Sequence, residues 1–377
     1  MFILMISRGV PTPQDPQWGC FEKDQAESLA NLGHKVVVAS IDSRFRLRWR
    51  HIGITHHSIN GVNYYDSFLV PSAITQLFGK GVAKKVKEYQ LRRIYEMVCK
   101  TYGKPDVIYG QFFYNSYTAL PISVQENIPL VTIEHAARFN EEHIDSESLS
   151  QSRAVYQHTA ANIAVSESLK VSLAKLFGID CYVVHNVYGK EFNYSPTKPS
   201  VKVRYVTTGS LIYRKGFDMF AKAFALLNLP KDKWELTIIG EGEERANLQQ
   251  QIEQNGFANN IHLAGSKNKT DIARMLNESD VFVLPSRNEN FSVAVLEALA
   301  CGLPVVASIC GGIRECIDEK NGVLFEVDDV EGLAKCLKYM YDHHQDYNRQ
   351  LIADDCKARF SSQVIAKQLT EIFEKVR

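Results

Sequence analysis

The chain has 377 residues, of which 45% are hydrophobic and 23% charged, and its 43 Lys and Arg residues are balanced by 43 Asp and Glu residues. This length and hydrophobic content predict a globular protein of two domains, and the zero net charge gives no global indication of a nucleic-acid partner. The eight cysteines include no Cys-x-x-Cys pair, so neither a zinc site nor a disulfide framework is expected and a reducing cytosol is favoured.

The sequence shows no targeting segment. The apolar opening Met1–Ile6 is short for a signal sequence, has no basic segment before it and is followed by Arg8. No apolar run reaches the roughly 18 residues that a membrane-spanning helix needs. We therefore expect a cytoplasmic protein.

Strands and helices alternate along the N-terminal half. A first strand is followed by a proline-containing polar loop, and Gly19 precedes a helix that ends at Gly33-His34. The apolar runs predict strands at Phe2–Ile6, Val36–Ala39, Asp106–Tyr109, Leu130–Ile133, Ala161–Val165 and Cys181–Val184. Helical patterning between several of these runs indicates a doubly wound parallel sheet.

The stretch 189–200 contains Lys, Pro and Ser without periodicity, and we expect it to link the two domains. A second alternating set predicts strands at Arg204–Thr207, Leu236–Ile239, Ile261–Leu263, Val281–Leu284, Val305–Ala307 and Gly322–Phe325. Two further helices are predicted at about 332–340 and 363–375. The predicted domains are 1–195 and 201–360, followed by a C-terminal helix within 361–377.

The segment 280–308 carries the strongest functional signal. A strand, a turn with Glu289, a helix from near Ser292 to Gly302 and a second strand form one unit of a parallel sheet, where ligands bind at the carboxyl ends of the strands. Glu297 lies among apolar helix residues, where a carboxylate needs a partner. At helical rise the two glutamates lie about 12 Å apart, roughly the reach from one end of a nucleotide sugar towards its ribose. A capping Glu plus a structural Glu paired with an Arg is the alternative.

This context resembles the signature of retaining glycosyltransferases of the family-4 type (glycosyl transferases group 1), which adopt the GT-B fold. The residues that match are Pro285-Ser286, Glu289-Asn290-Phe291, Glu297, Ala300, Gly302 and Pro304-Val305-Val306-Ala307. The resemblance is strong over roughly residues 203–327 and weak over the first half. It implies two doubly wound, Rossmann-like domains facing a central cleft, with acceptor binding in the first domain and nucleotide-sugar binding in the second. It also implies that the final helix packs back onto the N-terminal domain.

The resemblance assigns roles to the residues of this motif. Glu289 is expected to hold hydroxyl groups of the transferred sugar, with the backbone N–H groups of Asn290, Phe291 and Ser292 nearby. Glu297 is expected to bind the ribose of the donor.

Two adjacent cations, Arg214 and Lys215, lie between a predicted strand and a predicted helix at 217–227. Cations at such a corner, together with a helix N-terminus, can face a diphosphate, and a solvated basic turn is the alternative. Family members often carry Arg directly after the first Gly of this segment, where this chain has Ser210. The resemblance therefore places the phosphate role on Arg214 and Lys215 and leaves Ser210 in the donor site.

Three further positions match the family less specifically. Gly242, in a Gly-x-Gly turn after a strand, is expected to line the donor pocket, and a tight strand-to-helix turn is the alternative. Gly19 is expected to let the backbone approach the donor, and a plain helix start is the alternative; Trp18 beside it is assigned to the acceptor side. His135 follows a strand end where the family has a His facing the donor sugar, and a His satisfied in its turn is the alternative.

No Asp-x-Asp sequence occurs, so we expect no metal site. Glycosyltransferases of the other main fold use that sequence to hold a divalent cation on the diphosphate. Arg214, Lys215 and helix dipoles would neutralise the leaving group in its place.

Residues 44–104 hold twelve Lys and Arg against three acids, a local balance of +9. Within them Arg44, Arg46, Arg48 and Arg50 alternate with Phe45, Leu47 and Trp49. Cations interleaved with apolar side chains indicate contact with an anionic membrane surface or an anionic acceptor, and a solvated face is the alternative.

The sequence as a whole predicts a metal-independent, retaining hexosyltransferase. It would move a sugar from a nucleotide sugar, with UDP as the first choice of nucleotide, to a glycan or lipid-linked acceptor. Cell-surface polysaccharide or lipopolysaccharide biosynthesis at the cytoplasmic membrane face is the expected setting. The alternatives are a sugar-nucleotide epimerase of related fold and a non-catalytic glycan- or nucleotide-binding subunit, and the presence of the motif residues favours transfer.

Overall fold

In the computed structural model of the chain, the described residues are 1–12, 18–44, 52–68, 81–141, 143–198 and 200–377. They divide into two compact units. Unit 1 contains Met1–His185 together with Ser362–Arg377, and unit 2 contains Asn186–Ser361. The division after His185 comes earlier in the chain than the boundary at 195 expected from the sequence.

A parallel sheet forms the centre of unit 1. Its strands within the described residues are β1 (Phe2–Ser7), β2 (Lys35–Asp42), β3 (Gly53–Ile59), β4 (Val62–Phe68), β5 (Val107–Gln111), β6 (Leu130–Glu134), β7 (Ala161–Ala164) and β8 (Tyr182–Val183). Their order across the sheet is β3-β4-β2-β1-β5-β6-β7-β8, and the neighbours are parallel except for the antiparallel pair β3 and β4. The winding of the chain therefore reverses between β1 and β5.

Helices cover this sheet because its central strands are buried along their whole length, as in β1 and β6. The helices that follow the strands of unit 1 are α1 (Cys20–Asn31), α2 (Val82–Tyr102), α3 (Phe113–Glu126), α4 (Ser146–Tyr156) and α5 (Glu167–Phe177). The β3–β4 hairpin was not predicted. β3 has no fully buried residue and is rich in polar side chains, so it lacks the apolar run that revealed the other strands.

Unit 2 has a second sheet whose described strands are all parallel to their neighbours. They are β9 (Val203–Thr208), β10 (Trp234–Ile239), β11 (Ile261–Gly265), β12 (Val281–Leu284), β13 (Val305–Ser308) and β14 (Gly322–Phe325). The order is β11-β10-β9-β12-β13-β14. Winding therefore reverses between β9 and β12, and ligands of such sheets bind in the crevice at the carboxyl ends of the strands there.

The helices of unit 2 are α6 (Phe220–Leu227), α7 (Arg245–Gln254), α8 (Lys269–Asn277), α9 (Val293–Ala300), α10 (Val330–His343) and α11 (Arg349–Phe360). The helix that follows, α12 (Ser362–Val376), belongs to unit 1. Its apolar face is buried, the ring of Phe373 lies 5.0 Å from that of Tyr109, and Thr370 Oγ1 lies 2.8 Å from His34 Nε2. No described helix combines the length and the apolar character needed to cross a membrane.

The described part of the expected linker is anchored within unit 2. The Ser195 N–H donates to the Asn277 side chain over 2.8 Å, and the Thr197 hydroxyl donates to the Asn277 carbonyl over 2.9 Å. The segment is held by hydrogen bonds to the end of α8 and not by an apolar face. Its sequence therefore shows no apolar periodicity and resembles that of a linker.

Several sequence predictions lie outside the described residues. They are part of the proline-containing loop (13–17), Pro199 of the expected linker, and the alternating stripe from Phe45 to Arg50. Arg44, which starts that stripe, is described. The predicted fold class, α/β with two doubly wound parallel sheets, is confirmed.

Candidate functional site

Opposite charges meet in unit 2 at the carboxyl ends of β9 and β12. Lys215 Nζ lies 2.5 Å from Glu289 Oε1, and Arg214 Nη1 lies 3.8 Å from Glu289 Oε2. Ser286 Oγ donates a further hydrogen bond of 2.9 Å to Glu289 Oε1. Three of the expected catalytic residues thus share one cluster at the winding reversal of the sheet, and their roles stay predictions.

The electrostatics of this cluster favour an anion. Glu289 is 7% exposed. Burial opposes its ionisation, but the charges of Lys215 and Arg214 outweigh burial and hold the pKa of the Glu289 carboxyl below its usual value. Two cations against one carboxylate leave a net charge of +1 at neutral pH. A diphosphate brought to these loops would meet that surplus.

Arg287 holds the loops that carry these charges. Its guanidinium donates to both carboxylate oxygens of Asp218, at 2.8 and 2.9 Å, and to Asp328 at 2.6 Å. The backbone N–H of Arg287 donates to the Arg214 carbonyl over 2.8 Å, while Arg214 Nη1 donates to the Asn288 carbonyl over 2.6 Å. Hydrogen bonds to Asp218 contribute most to the raised pKa of Arg287. The loops after β9 and β12 are therefore tied together before any ligand arrives.

Sequence reasoning missed Arg287 and also Gly311. Gly311 has a φ of 52°, and a Cβ atom there would lie 1.7 Å from the Glu289 carbonyl oxygen. Only glycine allows the chain after β13 to pass this close to the backbone of Glu289. The Gly311-Gly312 pair was the available signal in the sequence.

The backbone after Glu289 leads directly into α9. Asn290, Phe291 and Ser292 are all buried, and the Phe291 carbonyl accepts a 2.9 Å hydrogen bond from the Asn186 side chain. Ser292 is the N-cap residue of α9, and its side chain makes no capping hydrogen bond. The first N–H groups of a helix have no partner within the helix, so they are suited to bind an oxygen atom of a ligand.

Glu297 is half-buried on α9, a helix that is mostly buried, as its apolar sequence predicts. Glu289 lies before α9, which begins at Val293, so the helical separation of about 12 Å expected from the sequence does not apply to this pair. Burial raises the pKa of Cys301 to about 12, and the charge of Glu297 adds to the effect. Its ribose role stays a prediction.

Gly242 and Ser210 lie on the two loops beside the charged cluster. A Cβ atom on Gly242 would lie 2.2 Å from the Leu211 carbonyl oxygen, so the loops after β9 and β10 are in close contact. The N–H groups of Leu211 and Glu244 bridge them, donating over 2.9 Å each to the carbonyls of Glu241 and Leu211 respectively. Ser210 is exposed in this region.

His135 and Gly19 belong to unit 1, at the carboxyl ends of its strands. Gly19 caps α1 with a φ of 73°. The ring of His135 packs 4.8 Å from Phe21 and 4.9 Å from Phe112, and its Nε2 lies 2.9 Å from Gln111 Oε1. His135 therefore packs against Phe21, which lies two residues after Gly19 at the start of α1.

Glu134, beside His135, is a buried carboxylate that sequence reasoning passed over. It accepts hydrogen bonds from the N–H groups of Phe113 (3.0 Å), His135 (2.9 Å) and Ala136 (2.8 Å) and from the Tyr156 hydroxyl (2.9 Å). Burial nevertheless raises the pKa of Glu134, against the effect of these donors. These bonds fix the backbone at the ends of β5 and β6.

The backbone at Phe112, directly after β5, is strained. Phe112 has φ 66° and ψ 151°, a region that is nearly restricted to glycine and costs on the order of 1–3 kcal/mol. Its ring lies 4.5 Å from the Arg8 guanidinium, and the next N–H is the one bound by Glu134. Such strain persists where the surroundings over-determine a position, and it clusters at ligand sites.

Two doubly wound parallel-sheet units, the second with a cationic loop at its winding reversal, define the GT-B class of fold. Residues 191–353 match the model of the family described as "Glycosyl transferases group 1", and residues 23–188 match "Glycosyltransferase Family 4". The two matches together span most of the chain and confirm the resemblance to group 1 glycosyltransferases found in its sequence.

Two curated relatives are named as glycosyltransferases of polysaccharide biosynthesis. The amylovoran biosynthesis glycosyltransferase AmsK of Erwinia amylovora is 27% identical over 65% of this chain and 64% of its own length. The putative teichuronic acid biosynthesis glycosyltransferase TuaC of Bacillus subtilis strain 168 is 25% identical over 100% of this chain and 99% of its own. The chain spans 40% to 64% of the length of the first four curated relatives that it matches.

Solved structures share the fold over the whole chain. Sucrose-phosphate synthase from Thermosynechococcus elongatus superposes with a TM-score of 0.81 at 16% identity, covering 100% of this chain and 99% of its own. Anabaena HepE in complex with UDP has a TM-score of 0.76 at 17% identity, with 99% of both chains covered. HepE has also been solved with UDP-glucose, with a TM-score of 0.71 at 18% identity and 100% of both chains covered.

Proposed function

We propose that this protein is a retaining glycosyltransferase that moves a sugar from a nucleotide sugar, with a UDP-sugar as the first choice, to a glycan or lipid-linked acceptor. The observation that carries the proposal is the cluster of Lys215, Arg214 and Glu289 at the winding reversal of unit 2. The UDP and UDP-glucose complexes of HepE support the choice of donor. The names of AmsK and TuaC support a role in cell-surface polysaccharide or lipopolysaccharide biosynthesis.

Lys215 and Arg214 act on the leaving group in this mechanism. As the bond between the sugar and the diphosphate breaks, negative charge grows on the diphosphate, and cations already held in place stabilise it without reorganising. Arg287 keeps the two loops in position through Asp218 and Asp328. We propose that these side chains and the N-terminus of α9 replace a divalent cation.

Glu289 and Glu297 bind the two halves of the donor. The Glu289 carboxylate accepts hydrogen bonds from hydroxyl groups of the transferred sugar, next to the N–H groups at the start of α9. Glu297 accepts from the ribose.

Retention of configuration follows from attack on the same face as departure. The acceptor oxygen forms its bond to the anomeric carbon as the carbon–oxygen bond to the diphosphate breaks, and a leaving phosphate oxygen takes the acceptor proton. This scheme needs no separate side-chain base. His135 faces the donor sugar in it, and Gly19 lets the backbone of unit 1 approach the donor. A lipid-linked acceptor would locate the reaction at the cytoplasmic face of the membrane.

A panel of nucleotide sugars, incubated with and without glycan acceptors, tests the proposal. We expect release of nucleoside diphosphate that depends on both a matching donor and an acceptor, and we expect Lys215→Ala to slow this release strongly. An epimerase would instead yield an isomeric nucleotide sugar without acceptor. A binding subunit would raise its melting temperature with a nucleotide sugar and release nothing. Either of those two results contradicts the proposal.

A further inference from the structure

A cavity of about 380 Å³ opens in unit 1 at the carboxyl ends of β1 and β2. The start of α2 and part of α3 form its other walls, and four cationic side chains line it: Arg8, Arg44, Lys84 and Lys87. This volume lies within the range of roughly 300–1,000 Å³ that is typical of small-molecule sites.

Three of these cations are matched by a partner. Arg8 pairs with the buried Glu22 at 2.6 Å. Arg44 pairs with Asp42 at 2.7 Å. Lys84 lies 3.5 Å from Glu88 and donates a 2.8 Å hydrogen bond to the Tyr117 hydroxyl.

Lys87 differs from the other three. Within the part of the chain that the structure describes, its ammonium makes neither an ion pair nor a hydrogen bond. Burial lowers the pKa of Lys87, and the charge of Asp42 only partly opposes this. Asp42 is already engaged by Arg44, and Glu147, the other carboxylate of the lining, is exposed and accepts a 2.8 Å hydrogen bond from the Gln151 amide, so neither is paired with Lys87. A partly buried cation without a partner is unfavourable, and an anion in the cavity would relieve that cost.

The remaining lining is suited to a sugar. The rings of Trp18 and Tyr117 line the cavity, with the Arg44 guanidinium carbon 3.3 Å from the Trp18 centroid and Lys84 Nζ 4.0 Å from the Tyr117 centroid. The side-chain amides of Asn115 and Gln151 also line the cavity and can exchange hydrogen bonds with hydroxyl groups. Apolar walls with a few polar groups are the usual composition of a site for a small ligand.

We propose that this cavity binds a negatively charged sugar of the acceptor, whose carboxylate or phosphate is met by Lys87 and Arg44. The assignment of that sugar to the acceptor rests on the proposed function, whereas its binding does not. A membrane surface fits less well, because Lys87 lines a concave pocket with amide groups instead of projecting from an apolar face. The protein would therefore select an acceptor whose anionic group lies on or next to the sugar ring.

Direct binding tests this proposal independently of turnover. Saturation-transfer NMR on the full chain would compare D-glucuronate and glucose 1-phosphate with uncharged methyl glucoside. We expect the charged sugars to bind more tightly, and Lys87→Met to weaken their binding by roughly tenfold or more, as for loss of a charge-assisted hydrogen bond. Lys85→Met is the matched control, because Lys85 lies on the same helix, is exposed and does not line the cavity.

The two charged sugars and a second variant separate the sources of binding. Whichever of glucuronate and glucose 1-phosphate binds more tightly identifies the anionic group as a carboxylate or a phosphate. Lys215→Met should weaken binding of UDP and leave glucuronate binding unchanged, whereas Lys87→Met should do the reverse. If glucuronate binds as expected but no nucleotide sugar is ever turned over, the proposed function fails and the anion site stands.

Three results would overturn the anion site. The first is that methyl glucoside binds as tightly as both charged sugars. The second is that Lys87→Met and Lys85→Met have the same effect. The third is that bare phosphatidylglycerol vesicles, unlike phosphatidylcholine vesicles, bind the protein through Lys87 while the charged sugars do not, because the cations would then serve a membrane surface.

Discussion

Unit 1 and unit 2 each carry cations at the carboxyl ends of their strands, but they compensate them differently. In unit 2, Lys215 and Arg214 share the carboxylate of Glu289, a residue that is itself expected to bind substrate. In unit 1, Arg8 and Arg44 have dedicated acidic partners, and Lys87 has none among the described residues. In the functions proposed here, the shared carboxylate holds the cations of unit 2 in position for a reaction, whereas the unmatched cation of unit 1 selects a ligand by its charge.

Among the variants that test this comparison, Lys215→Ala should have the largest effect. We expect kcat/KM to fall by about a hundredfold or more, because a charge-assisted contact worth about 2–4 kcal/mol at the transition state is lost. Steady-state kinetics with the matching donor measures it, and Lys222→Ala on the exposed face of α6 is the matched control. Activity within threefold of wild type would remove Lys215 from the mechanism.

The two glutamates of unit 2 should separate in their kinetics. Glu289→Ala should lower kcat, because its carboxylate lies with the cations near the bond that breaks. Glu297→Gln should raise the KM for the donor more than it lowers kcat, because the ribose is remote from that bond. Donor-saturation curves for both variants decide the matter. The same kinetic pattern in both would show that the division of roles is wrong.

Glu134→Gln extends the comparison to the scaffold of unit 1. The amide nitrogen of Gln would face the Phe113 N–H, which is buried and would lose its acceptor, at a cost of about 1–3 kcal/mol in the free energy of unfolding. Denaturant unfolding measures that cost, and UDP affinity should not change. An unchanged stability would mean that Glu134 does not support the strained backbone of Phe112.

A smaller effect concerns pH and Glu289. Its pKa is lowered in the folded protein, so its ionised form contributes stability above the unfolded pKa of about 4.3. That contribution is lost as the pH falls through the folded value. We expect the melting temperature of wild type to fall more steeply than that of Glu289→Gln as the pH is lowered from neutrality to below 4.3. Parallel curves would contradict the ion-pair account.

Chelation should have the smallest effect of all. We expect activity to survive excess EDTA, because Arg214 and Lys215 fill the electrostatic role of a metal ion in the proposed mechanism. Loss of activity on chelation, restored by Mg²⁺ or Mn²⁺, would instead show that the cations of unit 2 are insufficient.

The sequence predicted those parts of the molecule that are specified locally. Parallel strands such as β12 and β14 are short apolar runs and were placed at their observed bounds. Glu289 and Lys215 were found because each sits in a recognisable segment of a few residues. Arg287 and Glu134 were missed as supports, because their partners lie far away in the chain or are backbone groups. The residues that line the cavity around Lys87 come from several strands and helices, so no short sequence pattern predicts that they lie together.

The place of α12 in unit 1 has a consequence for biosynthesis. Residues 1–185 leave the ribosome first, yet the helix that covers Tyr109 and His34 follows only after all of unit 2 has been translated. Until α12 has been synthesised, the nascent unit 1 therefore has an uncovered apolar surface. During that time it can bind chaperones or aggregate. A fragment that ends at residue 185 would keep that surface bare permanently.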